Sequence, residues 1–251
     1  MPRLEAPEGY SAAILHTHTN KSDGLVTPDK VVEAAKNVGA RVVAISDHDT
    51  FSGIAEAQRK AEELEIYFVI GNEIQCKNFK HLLALFLKLP KKEIPHSKPI
   101  DETAKKIREL QGFVIAPHPL SGRRDALTKD QLLRLIELGL LDGIEVLYPR
   151  IPDGVSQELK DLSQQDGVNL AQFGSSDSHF GLKDIGINFT LFPGNNLEDI
   201  FKAIGRKTTI PSKGLVPTPP TISETINNKF KAYFILTGRR FFDNLNNLKR
   251  P

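Results

Sequence analysis

Between residue 12 and about residue 205, short apolar, β-branched runs alternate with amphipathic stretches of helical period, a pattern that few folds accommodate. Repeated strand-helix units of this kind build a parallel sheet or barrel, so the expected class is α/β. The strand candidates are 12–15, 41–46, 66–70, 82–87, 113–116, 143–147 and 169–173, each short and bounded by polar residues, Gly or Pro. Seven such strands suggest a closed or nearly closed barrel. Between them, Thr27 caps a helix with Pro28 in its first turn and Val31, Val32, Ala35 and Val38 on one face, and Gly39 stops it. Residues 52–64, 101–110, 128–138 and 156–165 read similarly, the last two bounded by Gly139 and Gly167.

The alternation stops after residue 205. Residues 210–220 hold four prolines, and 221–250 read as one or two cationic amphipathic segments. The expected division is a main domain over 1–211 and a Pro-rich linker with a basic extension over 212–251. Phe230, Tyr233, Phe234, Phe241 and Phe242 in that extension are expected to pack back on the barrel, with a partner surface or a nucleic-acid contact as alternatives.

Composition narrows the class further. A length of 251 residues supports one sizeable core, and 39% hydrophobic with 25% charged residues excludes a fibrous or wholly disordered chain. The single cysteine, Cys76, cannot form an intramolecular disulfide, which fits a reducing cytoplasm. Residues 1–10 carry prolines and acids where a secretory signal needs an apolar core, and no apolar run approaches the length of a membrane span. A cytoplasmic protein without membrane contact is expected. The net charge of +2 conceals an asymmetry, since residues 206–251 hold 9 of the 33 Lys and Arg but only 2 of the 31 Asp and Glu. The body is therefore acidic and the tail basic.

Most of the seven histidines stand beside acids where an expected strand has just ended: His16-Thr17-His18, Asp23, Asp47-His48-Asp49, Glu73, Pro117-His118-Pro119 and Asp177-Ser178-His179. In α/β barrels the loops after the strands converge on one face, so residues scattered over 160 positions can meet in one cleft. Residues two apart on extended backbone project to the same side, so His16 and His18 can grip one ion, and Asp177 with His179 can reach the same cluster. Mixed imidazole and carboxylate ligation suits Zn, Mn or Fe. His81 begins a strand candidate where the others come after one. A hairpin returning from 66–73 through 76–80 would set it beside Glu73. His96, in the polar stretch 91–98, is expected at the surface.

These segments, His16-Thr17-His18-Thr19 with Ser22-Asp23-Gly24, Ser46-Asp47-His48-Asp49-Thr50, Gly71-Asn72-Glu73, Pro117-His118-Pro119 and Ser176-Asp177-Ser178-His179, resemble the motifs of the polymerase and histidinol phosphatase (PHP) superfamily, in that family's order. The stretch from Asp184-Ile185-Gly186 to Phe192, with a helix near 197–204, resembles the segment after the last motif in stand-alone members. The resemblance implies a distorted seven-unit (β/α) barrel, two or three divalent metals and phosphoester hydrolysis by a metal-activated water. It further implies that His16, His18, Glu73 and Asp177 hold one metal, that Glu73 bridges to a second held by His81 and His118, and that Asp23, His48 and His179 hold a third. Asp47 and Asp49 flank His48 and are better placed to support ligands than to be ligands.

Arg123 and Arg124, soon after His118, are candidates to clamp a phosphate by bidentate hydrogen bonds. Glu145 and Tyr148, at the end of the sixth strand candidate, are candidates for hydrogen bonding around the ligands. The expected function is a metal-dependent phosphoesterase acting on a small phosphorylated metabolite, a nucleotide or a nucleic-acid end. The alternatives are a 3′-5′ exonuclease that binds nucleic acid through the basic tail and a non-catalytic, metal-stabilised regulatory module.

Overall fold

The computed structural model describes residues 3–214. A single sheet of nine strands organises it, in the spatial order β7-β6-β5-β4-β3-β2-β1-β8-β9. The strands are β1 (Tyr10–Ile14), β2 (Val42–Ile45), β3 (Tyr67–Gln75), β4 (His81–Phe86), β5 (Phe113–Ala116), β6 (Gly143–Leu147), β7 (Ala171–Gly174), β8 (Asn188–Pro193) and β9 (Ile210–Lys213). The helices are α1 (Pro28–Asn37), α2 (Ile54–Glu63), α3 (Ile100–Glu109), α4 (Lys129–Glu137), α5 (Val155–Ser163) and α6 (Leu197–Arg206). All seven expected strands and all the expected helices are present.

Two strands join those expected. β8 pairs antiparallel with β1 and β9 antiparallel with β8, so the first stretch of the segment expected as a linker is in fact an edge strand. Its Pro211 is tolerated there because an edge strand need not donate on both sides. The expected linker and extension lie from residue 215 onward outside the described residues, together with the tail aromatics. β7 and β9 are the ends of the sheet order, yet side chains tie β7 back to the β8-β9 side. The Thr209 hydroxyl donates to the carbonyl of Gln172 (2.8 Å) and the Thr190 hydroxyl to the carbonyl of Gly174 (3.0 Å). The result is a nearly closed, barrel-like α/β sheet.

Burial tracks the pleat. Ala12 and Ile14 face α1 and α2, whereas Ala13 joins Val42, Ala44, Val69, Leu83, Leu85, Ile115, Phe173 and Phe192 in a cluster drawn from seven strands. Only the enclosed face of a curved sheet can gather so many strands. Ile200, Ala203 and Ile204 of α6 enter the same cluster, so α6 packs against the barrel interior. Among the described residues no helix is long and apolar enough to cross a membrane.

β3 runs on past the expected end at residue 70. Its partner β4 returns antiparallel with Glu73 opposite Leu83 and Gln75 opposite His81, which is the expected hairpin. Glu73 therefore lies within a strand and not after one. Because β4 is antiparallel, its first residue, His81, stands at the same end of the sheet as the last residues of the parallel strands.

Candidate metal centre

His16 and His18 come after β1, Asp47 and His48 after β2, His118 after β5 and Asp177 and His179 after β7, and the sheet brings them together with Glu73 and His81. Six of the seven histidines converge; His96 lies at the surface, as expected. The donor atoms form overlapping sets, and His48 Nδ1, 3.5 Å from Glu73 Oε2, links those around Glu73 to the one around Asp23.

In the first set, Glu73 Oε2 lies 3.2 Å from His16 Nε2 and 3.0 Å from His18 Nε2, and Asp177 Oδ1 lies 3.4 and 3.5 Å from the same two nitrogens. In the second, Glu73 Oε1 faces His81 Nδ1 at 3.1 Å and His118 Nε2 at 3.0 Å. Asp125 joins this group, its Oδ2 4.0 Å from His81 Nδ1. In the third, Asp23 faces His18 Nδ1 (3.6 Å), His48 Nε2 (3.6 Å) and His179 Nε2 (3.4 Å). Glu73 and His18 thus each present two atoms to two different sets.

These sets fit divalent cations. Four donors held about 2.1 Å from one ion in a tetrahedron lie about 3.4 Å apart, the spacing of the first set. Asp177 Oδ1 is buried without a hydrogen bond, although a buried carboxylate oxygen normally has one. The His16 ring settles its own orientation: Nδ1 lies 2.7 Å from Glu145 Oε1, so Nδ1 carries the proton and donates, leaving the Nε2 lone pair directed at the cluster. Lone pairs and carboxylates aimed at one point repel unless a cation or protons lie between them.

In the metal-free protein, protons take that part. Burial alone would push the His16 and His18 imidazoles down, but for His16 the carboxylates of Glu145, Glu73 and Asp177 prevail and hold it well above the usual range. For His18 the neighbouring Asp177 and Glu73 carboxylates prevail over burial and raise it to about 10. Glu73 and Asp177 are held well below the usual carboxylate range, because the surrounding histidines outweigh the cost of burial. His48 behaves differently, its burial lowering it to about 4.

Several neighbours hold the ligands in place. Glu145 bridges two of them, since its second oxygen accepts the backbone N–H of His118 (2.8 Å). The Tyr148 hydroxyl donates to the carbonyl of Pro119 (2.6 Å), anchoring the loop beyond. Asp47, read from the sequence as a support for ligands, accepts from the Thr19 amide (2.7 Å), the Thr19 hydroxyl (2.6 Å) and the Ser22 hydroxyl (2.5 Å). It thereby braces the turn carrying His18 and Asp23. A Cβ at Gly24 would sit 2.6 Å from the His18 carbonyl, which explains the glycine in Ser22-Asp23-Gly24. Asp49 accepts from the Gln75 amide (2.9 Å) and ties the same loop to β3. His118 and Asp177 adopt left-handed backbone (φ 32° and 42°), a strained conformation that clusters at functional sites.

The arginine pair divides. Arg123 donates to both oxygens of Asp125 (3.1 and 2.6 Å) and to Asp177 Oδ2 (2.9 Å), so it stands at the metal centre. Arg124 turns away and lays its guanidinium over the Phe79 ring, 3.4 Å from the centroid. Asp125 was not among the residues expected at the site. Its signal was an acid in the loop after β5, masked by the two arginines before it.

A family model described as the PHP domain matches residues 15–183. The chain belongs to the PHP domain family. An uncharacterised protein of Methanocaldococcus jannaschii is 34% identical to this PHP domain over 170 residues, 61% of this chain and 94% of that protein. A phosphoribosyl 1,2-cyclic phosphate 1,2-diphosphodiesterase of Eggerthella lenta is 30% identical over 136 residues, 52% of this chain but only 45% of the enzyme. Among solved structures, a two-domain Bacteroides vulgatus protein containing a predicted PHP-like metal-dependent phosphoesterase superposes with a TM-score of 0.70 at 21% identity. That match covers 84% of this chain and 68% of the other, and it shows the shared fold.

Proposed function

We propose that this PHP domain is a metal-dependent hydrolase of phosphoesters whose substrate is a small phosphorylated molecule or a nucleic-acid end. The observation that carries the reading is Glu73: one buried carboxylate whose two oxygens face two separate groups of imidazole nitrogens, with a third group around Asp23 next to it. Paired or tripled cations bridged in this way are the recurring solution to phosphoryl transfer. The diphosphodiesterase relative supports the same reaction class.

His16, His18, Glu73 and Asp177 would hold one cation, Glu73 with His81 and His118 a second, and Asp23, His48 and His179 a third; the imidazole and carboxylate donors suit Zn, Mn or Fe. When bound, such ions polarise a water and neutralise charge on the phosphoryl oxygens. The chain's own groups do the positioning. Glu145 keeps the His16 lone pair on the cluster and fixes the His118 backbone. Asp47 keeps His18 and Asp23 on one turn. Arg123 uses three of its five N–H groups on Asp125 and Asp177, which leaves two for a substrate oxygen.

The test is hydrolysis by Mn-, Zn- and Fe-loaded protein of phosphomonoesters, 3′,5′-bisphosphates, cyclic diesters and oligonucleotides, beside the variant His16→Ala. Turnover that His16→Ala abolishes supports the reading. Shortening of oligonucleotides alone points to the nuclease, and full metal occupancy without turnover of any ester overturns hydrolysis in favour of a regulatory module.

A further inference from the structure

Two phenylalanines, Phe79 and Phe180, are the aromatic side chains left exposed among the described residues, each 46% accessible. Both adjoin the metal centre. Phe180 sits next to the candidate ligand His179, with ring centroids 5.9 Å apart, and Phe79 stands two residues before His81. Each ring thus leaves a large apolar face in solvent beside a candidate ligand.

The Phe79 side is the more heavily built. Asn78 and Phe79 both take left-handed backbone (φ 60° and 63°), a costly conformation that turns the ring outward without a core to receive it. The Arg124 guanidinium lies over that ring. Lys80 Nζ donates to the carbonyls of Arg124 (3.0 Å) and Ala126 (2.7 Å), and the His81 amide donates to the carbonyl of Asp125 (3.0 Å). The turn before β4 is therefore pinned to the loop after His118. The stacked pair is held in place beside His81 and Asp125 by contacts within the chain itself.

We infer that Phe79 and Arg124 form a preformed stacking shelf for the planar base of a nucleoside phosphate whose phosphate lies at the metal centre. This deepens the phosphoesterase reading and rests on it. A flat aromatic ring under a flat cation offers π-faces to a heteroaromatic base, which both guanidinium and phenyl groups stack against. Lys80, whose Nζ bonds only backbone carbonyls there, adds positive charge on the same edge, which favours an anion bearing that base over a neutral apolar partner. Mononucleotides and the terminal nucleotide of an oligonucleotide share this chemistry.

Metal-loaded protein is compared with Phe79→Ala, Phe79→Tyr, Arg124→Ala and Phe180→Ala in two assays. The first is kcat/KM on adenosine 3′,5′-bisphosphate, a 5′-phosphorylated oligonucleotide and base-free ribose 5-phosphate. The second is quenching of ethenoadenosine monophosphate fluorescence on binding. Expected are a preference for the nucleoside substrates that falls roughly five- to a hundredfold in Phe79→Ala, recovery in Phe79→Tyr, and quenching lost with the ring. Preference for the mononucleotide or for the oligonucleotide identifies the source of the base. Equal turnover with and without a base, quenching untouched by Phe79→Ala, or a larger loss in Phe180→Ala overturns the assignment while leaving the phosphoesterase standing. If no ester is hydrolysed the proposed function fails, and the fluorescence assay still decides whether the shelf binds a base.

Discussion

Glu145 shows how much of a candidate metal centre lies one step behind the side chains that would ligate the ions. Its carboxylate holds the His16 ring and the His118 backbone at once, so Glu145→Ala frees two ligand segments together. Isothermal titration is expected to show metal affinity about 10- to 100-fold weaker in Glu145→Ala, with Glu145→Gln retaining part of it. Cys76 behaves in the opposite way, as an inert packing residue. It is 1% exposed, and burial pushes its thiol up from 9.0 to about 12. A group whose value is raised on folding adds its stability below its unfolded value, and for Cys76 that contribution is lost as pH rises through about 12. Maleimide labelling of the native protein at pH 8 is expected to be negligible and to become complete in denaturant; rapid native labelling would contradict this environment.

At the scale of elements, the turn from His18 to Gly24 is held by Asp47, which lies on a different loop. Removing that carboxylate leaves three donors without their partner. Asp47→Ala is expected to cost about 1–3 kcal/mol in urea unfolding and, if the proposed ion at Asp23 is held there, to weaken its binding preferentially. Helix α4 offers a cleaner case away from the site. Thr128 and Gln131 form a reciprocal capping box, so Thr128→Ala is expected to cost about 1 kcal/mol with hydrolysis unaltered.

For the whole molecule, the metal centre and α6 both engage the inner side of the sheet. Ile204, fully enclosed there, is expected to cost about 2–5 kcal/mol on truncation to Ala, read as a lowered denaturation midpoint. Metal removal acts from the other end. A ligand that binds only the folded chain stabilises it by mass action, so chelation is expected to lower the melting temperature, and His16→Ala to abolish that difference. A melting temperature indifferent to chelator would mean that the donor sets do not hold ions in solution.

Strand and helix periodicity, the helix starts at Thr27 and Thr128, and the identity of the candidate imidazole and carboxylate donors were all legible in the sequence, because each depends on residues close together along the chain; the cap expected of the Thr27 side chain is not made, its hydroxyl donating to Asp29 instead. The hairpin that sets His81 against Glu73 was legible for the same reason. Relations between distant segments were not. β9 carries a proline and an exposed face, and only its pairing with β8 makes it a strand. Asp47 flanks His48 in sequence but braces Thr19 and Ser22, Arg123 reaches across to Asp177, and Arg124 lies on Phe79. Side-chain direction at a loop depends on what the closing sheet brings opposite, and that is decided only when residues more than a hundred positions apart, such as His16 and Glu145, come into contact.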